Sequence, residues 1–247
     1  MILAQLGAEV IAIEPPGGQR SRYQGPFAGD VRDPEKSLTY WAYNRAKQSL
    51  VLDLDESGDL ERLEELAATA DAVVASDGSN ADLASLSRKY PHLVTAFISG
   101  FGGTGPKSDW AASDIINTAA SGTMGITGDR DLPPVRLSLP QTWHFAASDA
   151  LCGILLALRE RESSGQGQHV DVAAQHSYLI ASQYQMLYPF VGAPSTRRLS
   201  GGAEIGPITL KLVYEAADGY LSIVFLVGPT VGPYNTRLFE WVDEEGM

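Results

Sequence analysis

The sequence predicts an α/β fold with a Rossmann-like, doubly wound parallel sheet, followed by the start of a smaller α+β domain. Two observations support this prediction. Short apolar runs alternate with helical patterns through the first half of the chain, which is the order that βαβ units require. Near the C-terminus, Asp218-Gly219 separates two further apolar runs and indicates a β-hairpin, which is an antiparallel element.

The elements follow in order along the chain. Strands are predicted at the apolar runs 10–14, 49–54, 72–75 and 93–98, with helices at 60–68 and 82–88. A long buried helix is predicted at 143–161, because apolar residues recur there at intervals of three and four, and Gly165 ends it. After it come a strand and helix at 170–188, a linker at 194–206, hairpin strands at 210–215 and 220–224, and a helix from about 229. We therefore predict a large domain at 1–190 and, at 191–247, a linker with the beginning of a small domain.

Composition narrows the classes of function. The chain has 247 residues, of which 44% are apolar and 19% charged, and its formal charge is −12. An acidic surface disfavours nucleic acid and anionic membranes, so an anionic cofactor needs a local basic site. No apolar run approaches the roughly 20 residues of a membrane span and no signal peptide is recognisable, so the cytosol is the expected compartment. We expect no metal site, and Cys152 to be a small buried hydrophobe.

A basic turn at residues 44–47 precedes the second predicted strand. It reads Asn44-Arg45-Ala46-Lys47, and two cations with an amide at the mouth of a strand can grip an anion. Alone, the stretch fits a solvated loop better. Arg20 and Arg22, which follow the turn after the first strand, are further candidates for an anion site.

Four blocks resemble a known family when they are taken in order. They are the strand and turn at 7–18, the basic turn with its strand at 44–54, the glycine-rich stretch at 99–106 and the segment at 157–172. They resemble the family III coenzyme A (CoA) transferases, which include carnitine-CoA transferase, formyl-CoA transferase and the α-methylacyl-CoA racemases. The resemblance runs from Met1 to about Asp218.

The resemblance implies an incomplete family III fold and an oligomer. The family normally has another strand before the helix at which this chain opens, and a later segment that returns to complete the first domain. We therefore expect a fragment of a longer chain or a truncated gene product. The resemblance also implies an interlocked homo- or heterodimer that binds an acyl-CoA and a carboxylic acid.

By resemblance, CoA binds in two places. Asn44, Arg45, Ala46 and Lys47 would hold its phosphates or adenine end, and the glycine loop at residues 99–106, with Gly100, Phe101 and Gly102, would line the pantetheine path. The family's Glu-Asn-Phe-like stretch after the third strand reads Ala75-Ser76-Asp77 here, and an arginine expected near Ala84 is absent. These departures predict weak affinity for CoA.

The family's nucleophile is an aspartate whose carboxylate attacks the thioester. It normally lies ten residues before a glycine that is Gly153 here, so its position holds Trp143. Asp149 is the nearest carboxylate and our candidate catalytic residue, although it projects roughly 120° away around a helix. Glu14, Asp114 and His144 are expected to be structural. The stretch 140–153 resembles a branch of succinyl-CoA-dependent transferases in which one half lacks the nucleophile.

Three functions remain to be compared. The leading hypothesis is a transferase subunit or fragment, with a nucleophile supplied by a partner subunit or a fused second half. The alternative is a non-catalytic CoA-binding or scaffold subunit. A racemase is disfavoured because Ala112-Ser113-Asp114 stands where that branch carries Gly-His-Asp. A nicotinamide-binding protein is disfavoured because no Gly-x-Gly-x-x-Gly turn follows a predicted strand.

Overall fold

The computed structural model describes residues 1–181, 187–192, 198–205, 208–225 and 228–246. The chain divides into two compact units. The first consists of Met1–Asn117 and Thr142–Ser177, and the second of Thr118–Gln141 and Tyr178–Met247. Residues 194–197 and 206 of the predicted linker lie outside the described residues, and the division at residue 190 stays a prediction.

Parallel strands form the centre of the first unit. Strand β1 (Ile11–Glu14) pairs with β2 (Gln48–Val51), and a separate sheet has the order β3 (Ala72–Ser76), β4 (Val94–Ser99), β5 (His169–Ala173). The helices that begin in this unit are α1 (Ile2–Gln5), α2 (Leu38–Tyr43), α3 (Ser57–Thr69), α4 (Leu83–Lys89), α5 (Asp114–Ala120), α6 (Thr142–Ser164) and α7 (Ala174–Ala181). The predicted α/β class and parallel pairing are confirmed, with two parallel sheets among the described strands.

The core lies where α6 crosses the central strand β4. The buried positions of α6 repeat at intervals of three and four, at Thr142, Ala146, Ala150, Ile154 and Ala157. Gly153 permits the close approach, because a Cβ there would lie 2.6 Å from Cγ1 of Val170 on β5. The expectation that Cys152 is buried is wrong: it is exposed, since it lies between the buried positions on the outer face of α6.

The second unit contains two antiparallel pairs and a helix. Strand β6 (Gly202–Ile205) pairs with β7 (Ile208–Lys211), β8 (Val213–Ala216) pairs with β9 (Gly219–Ser222), and α8 spans Gly232–Glu244. The predicted hairpin is confirmed with shorter strands, and Ala216 pairs with Gly219 across it. A linker was expected to extend to residue 206, and this is wrong for 202–205. The pairing needs a glycine, because a Cβ on Gly202 would lie 2.5 Å from the Leu210 carbonyl oxygen.

Asn117 on α5 gives a first testable prediction. Its side chain is fully buried, and neither Nδ2 nor Oδ1 has a hydrogen-bond partner among the described residues. A buried unsatisfied amide costs about 1–3 kcal/mol, and alanine also favours a helix by a few tenths of a kcal/mol. We expect Asn117→Ala to raise the free energy of unfolding by about 1 kcal/mol, measured in urea. Asn117→Asp, which buries a charge, should lower it. A destabilised alanine variant would contradict the assignment.

Candidate functional site

A buried carboxylate organises the first unit. Glu14 ends β1 and is 1% exposed. It accepts five hydrogen bonds, from Arg22 Nε (2.6 Å) and Nη2 (2.8 Å), the Gln19 backbone N–H (3.0 Å), the Tyr40 hydroxyl (2.7 Å) and the Ser49 hydroxyl (2.6 Å). The Arg22 hydrogen bonds hold the pKa of Glu14 far below its ordinary value, although burial alone would raise it. We call these five residues the Glu14 cluster.

The Glu14 cluster determines which arginine can meet a ligand. Arg22 also lies 3.9 Å above the Tyr40 ring and donates to Glu35 at 2.9 Å, so its guanidinium is fully engaged. Burial and the neighbouring Glu14 raise the pKa of Tyr40 to about 12. Arg20 belongs to the same short helix, Arg20–Tyr23, yet it is exposed and has no ion pair among the described residues. The anion site predicted at these arginines is therefore reduced to Arg20.

The basic turn follows the end of α2. Asn44 donates from Nδ2 to the Tyr40 carbonyl at 3.0 Å and accepts from Lys47 Nζ at 2.8 Å. Ala46 has φ of +62°, which tightens the turn and brings these two side chains together. Burial lowers the pKa of Lys47. Arg45 is exposed and donates to the Ala42 carbonyl at 3.3 Å, so it lies on the outside of the turn.

The glycine loop follows β4 and uses its own N–H groups to hold its shape. Gly100 donates to Asp77 Oδ2 at 2.9 Å, Gly102 to Ser99 Oγ at 2.8 Å, and Gly103 to the Asp171 carboxylate at 3.0 Å. A Cβ on Gly100 would lie 2.1 Å from the Ala112 Cβ, so only glycine fits. The loop is therefore packed closely, and three of its N–H groups are used within the fold.

A cleft of about 410 Å³ opens beside this loop. It is lined by Arg20, Ser76, Asp77, Trp110, Ala111, Ala112 and Trp143. Ser76 ends β3 and Asp77 follows it, and the carboxyl ends of parallel strands are the usual place for ligands in α/β proteins. Sequence reasoning treated Asp77 only as a departure from the family, although its position after β3 was the signal that marks it. Trp110 was missed entirely.

The first turn of α6 places Trp143 in the cleft. Thr142 donates from its backbone N and from Oγ1 to Asp114 Oδ1, at 3.1 and 3.0 Å, which fixes the start of the helix. The next residue, His144, lies with its ring centre 4.9 Å from that of Tyr43, the residue before Asn44. This ring contact joins the end of α2, which precedes the basic turn, to the first turn of α6.

Asp149 lies elsewhere on α6. It is exposed, and it is not among the residues that line the cleft in the described part of the chain. Six residues separate it from Trp143, which is about 9 Å along a helix. Its catalytic role stays a prediction, as do the CoA contacts expected of the basic turn and of Gly100, Phe101 and Gly102.

The described residues contain no group of three or more His, Cys, Asp and Glu side chains that could hold a metal ion. No described helix is both long and apolar enough to cross a membrane.

Comparison with known proteins identifies the family. The sequence profile described as CoA-transferase family III matches residues 1–236. The chain belongs to CoA-transferase family III. Over 255 aligned residues it is 32% identical to the succinyl-CoA:(R)-benzylsuccinate CoA-transferase subunit BbsE of Thauera aromatica, covering all of this chain and 60% of the relative. It is 35% identical to the succinate–glutarate CoA-transferase of Agrobacterium fabrum, covering 89% of this chain and 57% of that one.

A solved structure supports the same assignment. A CAIB/BAIF family protein from Brucella suis superposes with a TM-score of 0.79 at 29% identity, covering 90% of this chain and 60% of that protein. The chain therefore spans about 60% of the length of these family III relatives. The resemblance inferred from the four sequence blocks is confirmed, and the part of the family fold that is present is the parallel-sheet unit with the antiparallel pairs that follow it.

Proposed function

We propose that this chain forms the CoA-binding part of a family III transferase that moves CoA between an acyl-CoA thioester and an organic acid. The observation that supports this most is the Lys47–Asn44 pair at 2.8 Å, which holds a half-buried cation in the basic turn of a chain whose net charge is −12. The relatives named for succinyl-CoA and for succinate and glutarate support the reaction type. We propose no metal, a dimer with a second copy or a related subunit, and the cytosol as its compartment.

The chemistry needs a carboxylate that can attack and then leave. By resemblance to the family, the carboxylate oxygen bonds to the acyl carbon while the carbon–sulfur bond breaks and the thiolate departs. The thiolate then attacks the resulting anhydride on the enzyme's side and releases the acid, which leaves an enzyme thioester. An indole is not a nucleophile of this kind, so Trp143 cannot perform these steps. We propose that the nucleophile is supplied by a second subunit or by a second half of the protein.

A non-catalytic CoA-binding subunit is the second candidate, and Trp143 in the cleft favours it. The two functions differ in whether a covalent adduct on the other subunit needs this chain. Each subunit, alone and together with the other, is incubated with succinyl-CoA and then with hydroxylamine or borohydride. An adduct on the other subunit that forms only when this chain is present supports the shared site, and one that forms equally without this chain supports the non-catalytic subunit. An adduct on this chain shows that it carries its own nucleophile. Turnover without any adduct would contradict the proposed chemistry.

The CoA site itself can be tested at the basic turn. We expect Lys47→Gln to weaken CoA binding by about 1–3 kcal/mol, because charge-assisted hydrogen bonds to phosphate contribute that much. Arg45→Gln should have a smaller effect, because Arg45 is exposed and water screens its charge. Titration calorimetry with CoA measures both. Arg88→Gln, an exposed arginine on α4, is the charge-matched control. An unchanged CoA affinity in the Lys47 variant would contradict the assignment of CoA binding to the basic turn.

A further inference from the structure

The cleft has an aromatic wall that the CoA chemistry does not use. Trp110 is 57% exposed, although tryptophan residues are on average highly buried in folded proteins. It is held edge-on against Phe101, with ring centres 5.7 Å apart, and Lys107 Nζ lies 5.2 Å from the centre of its ring. These two contacts restrict the indole before a ligand binds, which lowers the entropy cost of binding.

A second indole faces the same space. Trp143 lines the cleft and packs from the other side against the buried cluster of Ala146, Ala150, Val172 and Ala174. Its position is thus set by the core. Two indoles in a cleft of about 410 Å³ offer apolar surface on which a ring can stack or lie edge-on.

Two charged residues of the cleft determine how many carboxylates a ligand can carry. Arg20 is exposed and has no ion pair among the described residues, while the helix that carries it is anchored by Arg22 in the Glu14 cluster. Its guanidinium suits a carboxylate, which it can bind through two hydrogen bonds. Asp77 has one oxygen bound to the Gly100 N–H and repels a second carboxylate placed near it. The cleft therefore favours one acidic end and an uncharged body.

We infer that the cleft binds an aromatic carboxylic acid, with its carboxylate at Arg20 and its ring between Trp110 and Trp143. This inference rests on the proposed function, for which such an acid is the acceptor or the product. It assigns Arg20 and Trp110 as specificity residues for the acid, whereas the basic turn binds CoA.

The test is direct binding of small acids to the purified chain by titration calorimetry. The probes are 3-phenylpropanoate, butanoate and glutarate, with CoA titrated separately. We expect 3-phenylpropanoate to bind at least about tenfold more tightly than the other two, since only its ring can make offset-stacked or edge-to-face contacts with the two indoles. Arg20→Gln and Trp110→Leu should each weaken its binding about tenfold. Arg88→Gln and Trp41→Leu, which change exposed residues outside the cleft, should not.

A measurement on the unmodified chain covers the case in which a variant misfolds. In indole N–H NMR spectra, 3-phenylpropanoate should shift the Trp110 and Trp143 signals and leave Trp41 unmoved. Equal binding of the three acids, unmoved Trp110 and Trp143 signals, or folded variants with wild-type affinity would overturn the inference. CoA binding without acid binding would overturn it and leave the proposed function intact. Acid binding at the two indoles without CoA binding would sustain it and contradict the proposed function.

Discussion

Glu14→Gln is expected to lower the free energy of unfolding by about 3–5 kcal/mol, the cost of breaking a buried ion pair by removing one partner. The Glu14 carboxylate is 1% exposed and Arg22 is 13% exposed, so the arginine would keep its charge in the interior with Glu35 as its one ion-pair partner among the described residues. Glutamine has nearly the same shape, and the loss would therefore reflect charge and hydrogen bonding. Urea unfolding at neutral pH, followed by circular dichroism, measures it.

Two further variants show that the effect belongs to the buried pair. Glu35→Gln removes the second carboxylate that pairs with the same arginine. The Glu35 side chain is 78% exposed, so its loss should lower the free energy of unfolding by less than about 1 kcal/mol. Arg22→Met combined with Glu14→Gln removes both charges and should recover part of the loss, because no unpaired charge stays buried. A Glu14→Gln variant as stable as the wild type would mean that the Glu14 cluster does not stabilise this unit.

The same cluster sets a dependence on pH. The pKa of Glu14 is depressed in the folded chain by the Arg22 hydrogen bonds, whereas an unfolded glutamate titrates near about 4.3. The stability that Glu14 contributes is therefore fully present above that value and is lost as the pH falls from it towards the depressed folded pKa. The difference in stability between the wild type and Glu14→Gln should be constant from about pH 6 to 8 and should shrink below about pH 4.

The sequence predicted the parallel strands well because each depends on local pattern. Strands β1 to β4 lie within a few residues of the predicted runs. Strands of a parallel sheet are covered on both faces, so they appear in the sequence as short, nearly continuous apolar runs. The strand β6 was missed because Gly202 and its neighbours carry no alternation of apolar and polar residues. Its pairing is decided by contact with β7, which local sequence does not encode.

The candidate site was less predictable for a similar reason. The basic turn is contiguous in sequence, so its cations and amide were visible together. The cleft collects Arg20, Asp77, Trp110 and Trp143 from four separate segments, and only the packing of β3, the glycine loop and α6 brings them to one place. The Glu14–Arg22 pair also spans two segments, which is why Arg22 was assigned to a ligand when it is in fact bound to a buried carboxylate.

Trp143→Asp is expected to change this chain from one that forms no acyl adduct into one that forms it slowly. The substitution places a carboxylate at the first turn of α6, in the cleft and beside the helix N-terminus, where the partial positive charge favours its ionised form. If the thioester reaches the cleft, this carboxylate can attack its acyl carbon and expel the thiolate. The wild-type chain alone should show no transfer.

Mass spectrometry after incubation with succinyl-CoA and quenching with hydroxylamine detects the product as a hydroxamate at position 143. Trp143→Asn has the same shape as the aspartate variant without the nucleophile, and it should give no adduct. Asp149→Asn in the wild-type background should change nothing, because Asp149 lies on the exposed face of α6. Robust transfer by the unmodified chain, abolished by Asp149→Asn and retained in both Trp143 variants, would instead move the nucleophile to Asp149 and leave Trp143 as a wall of the acid site.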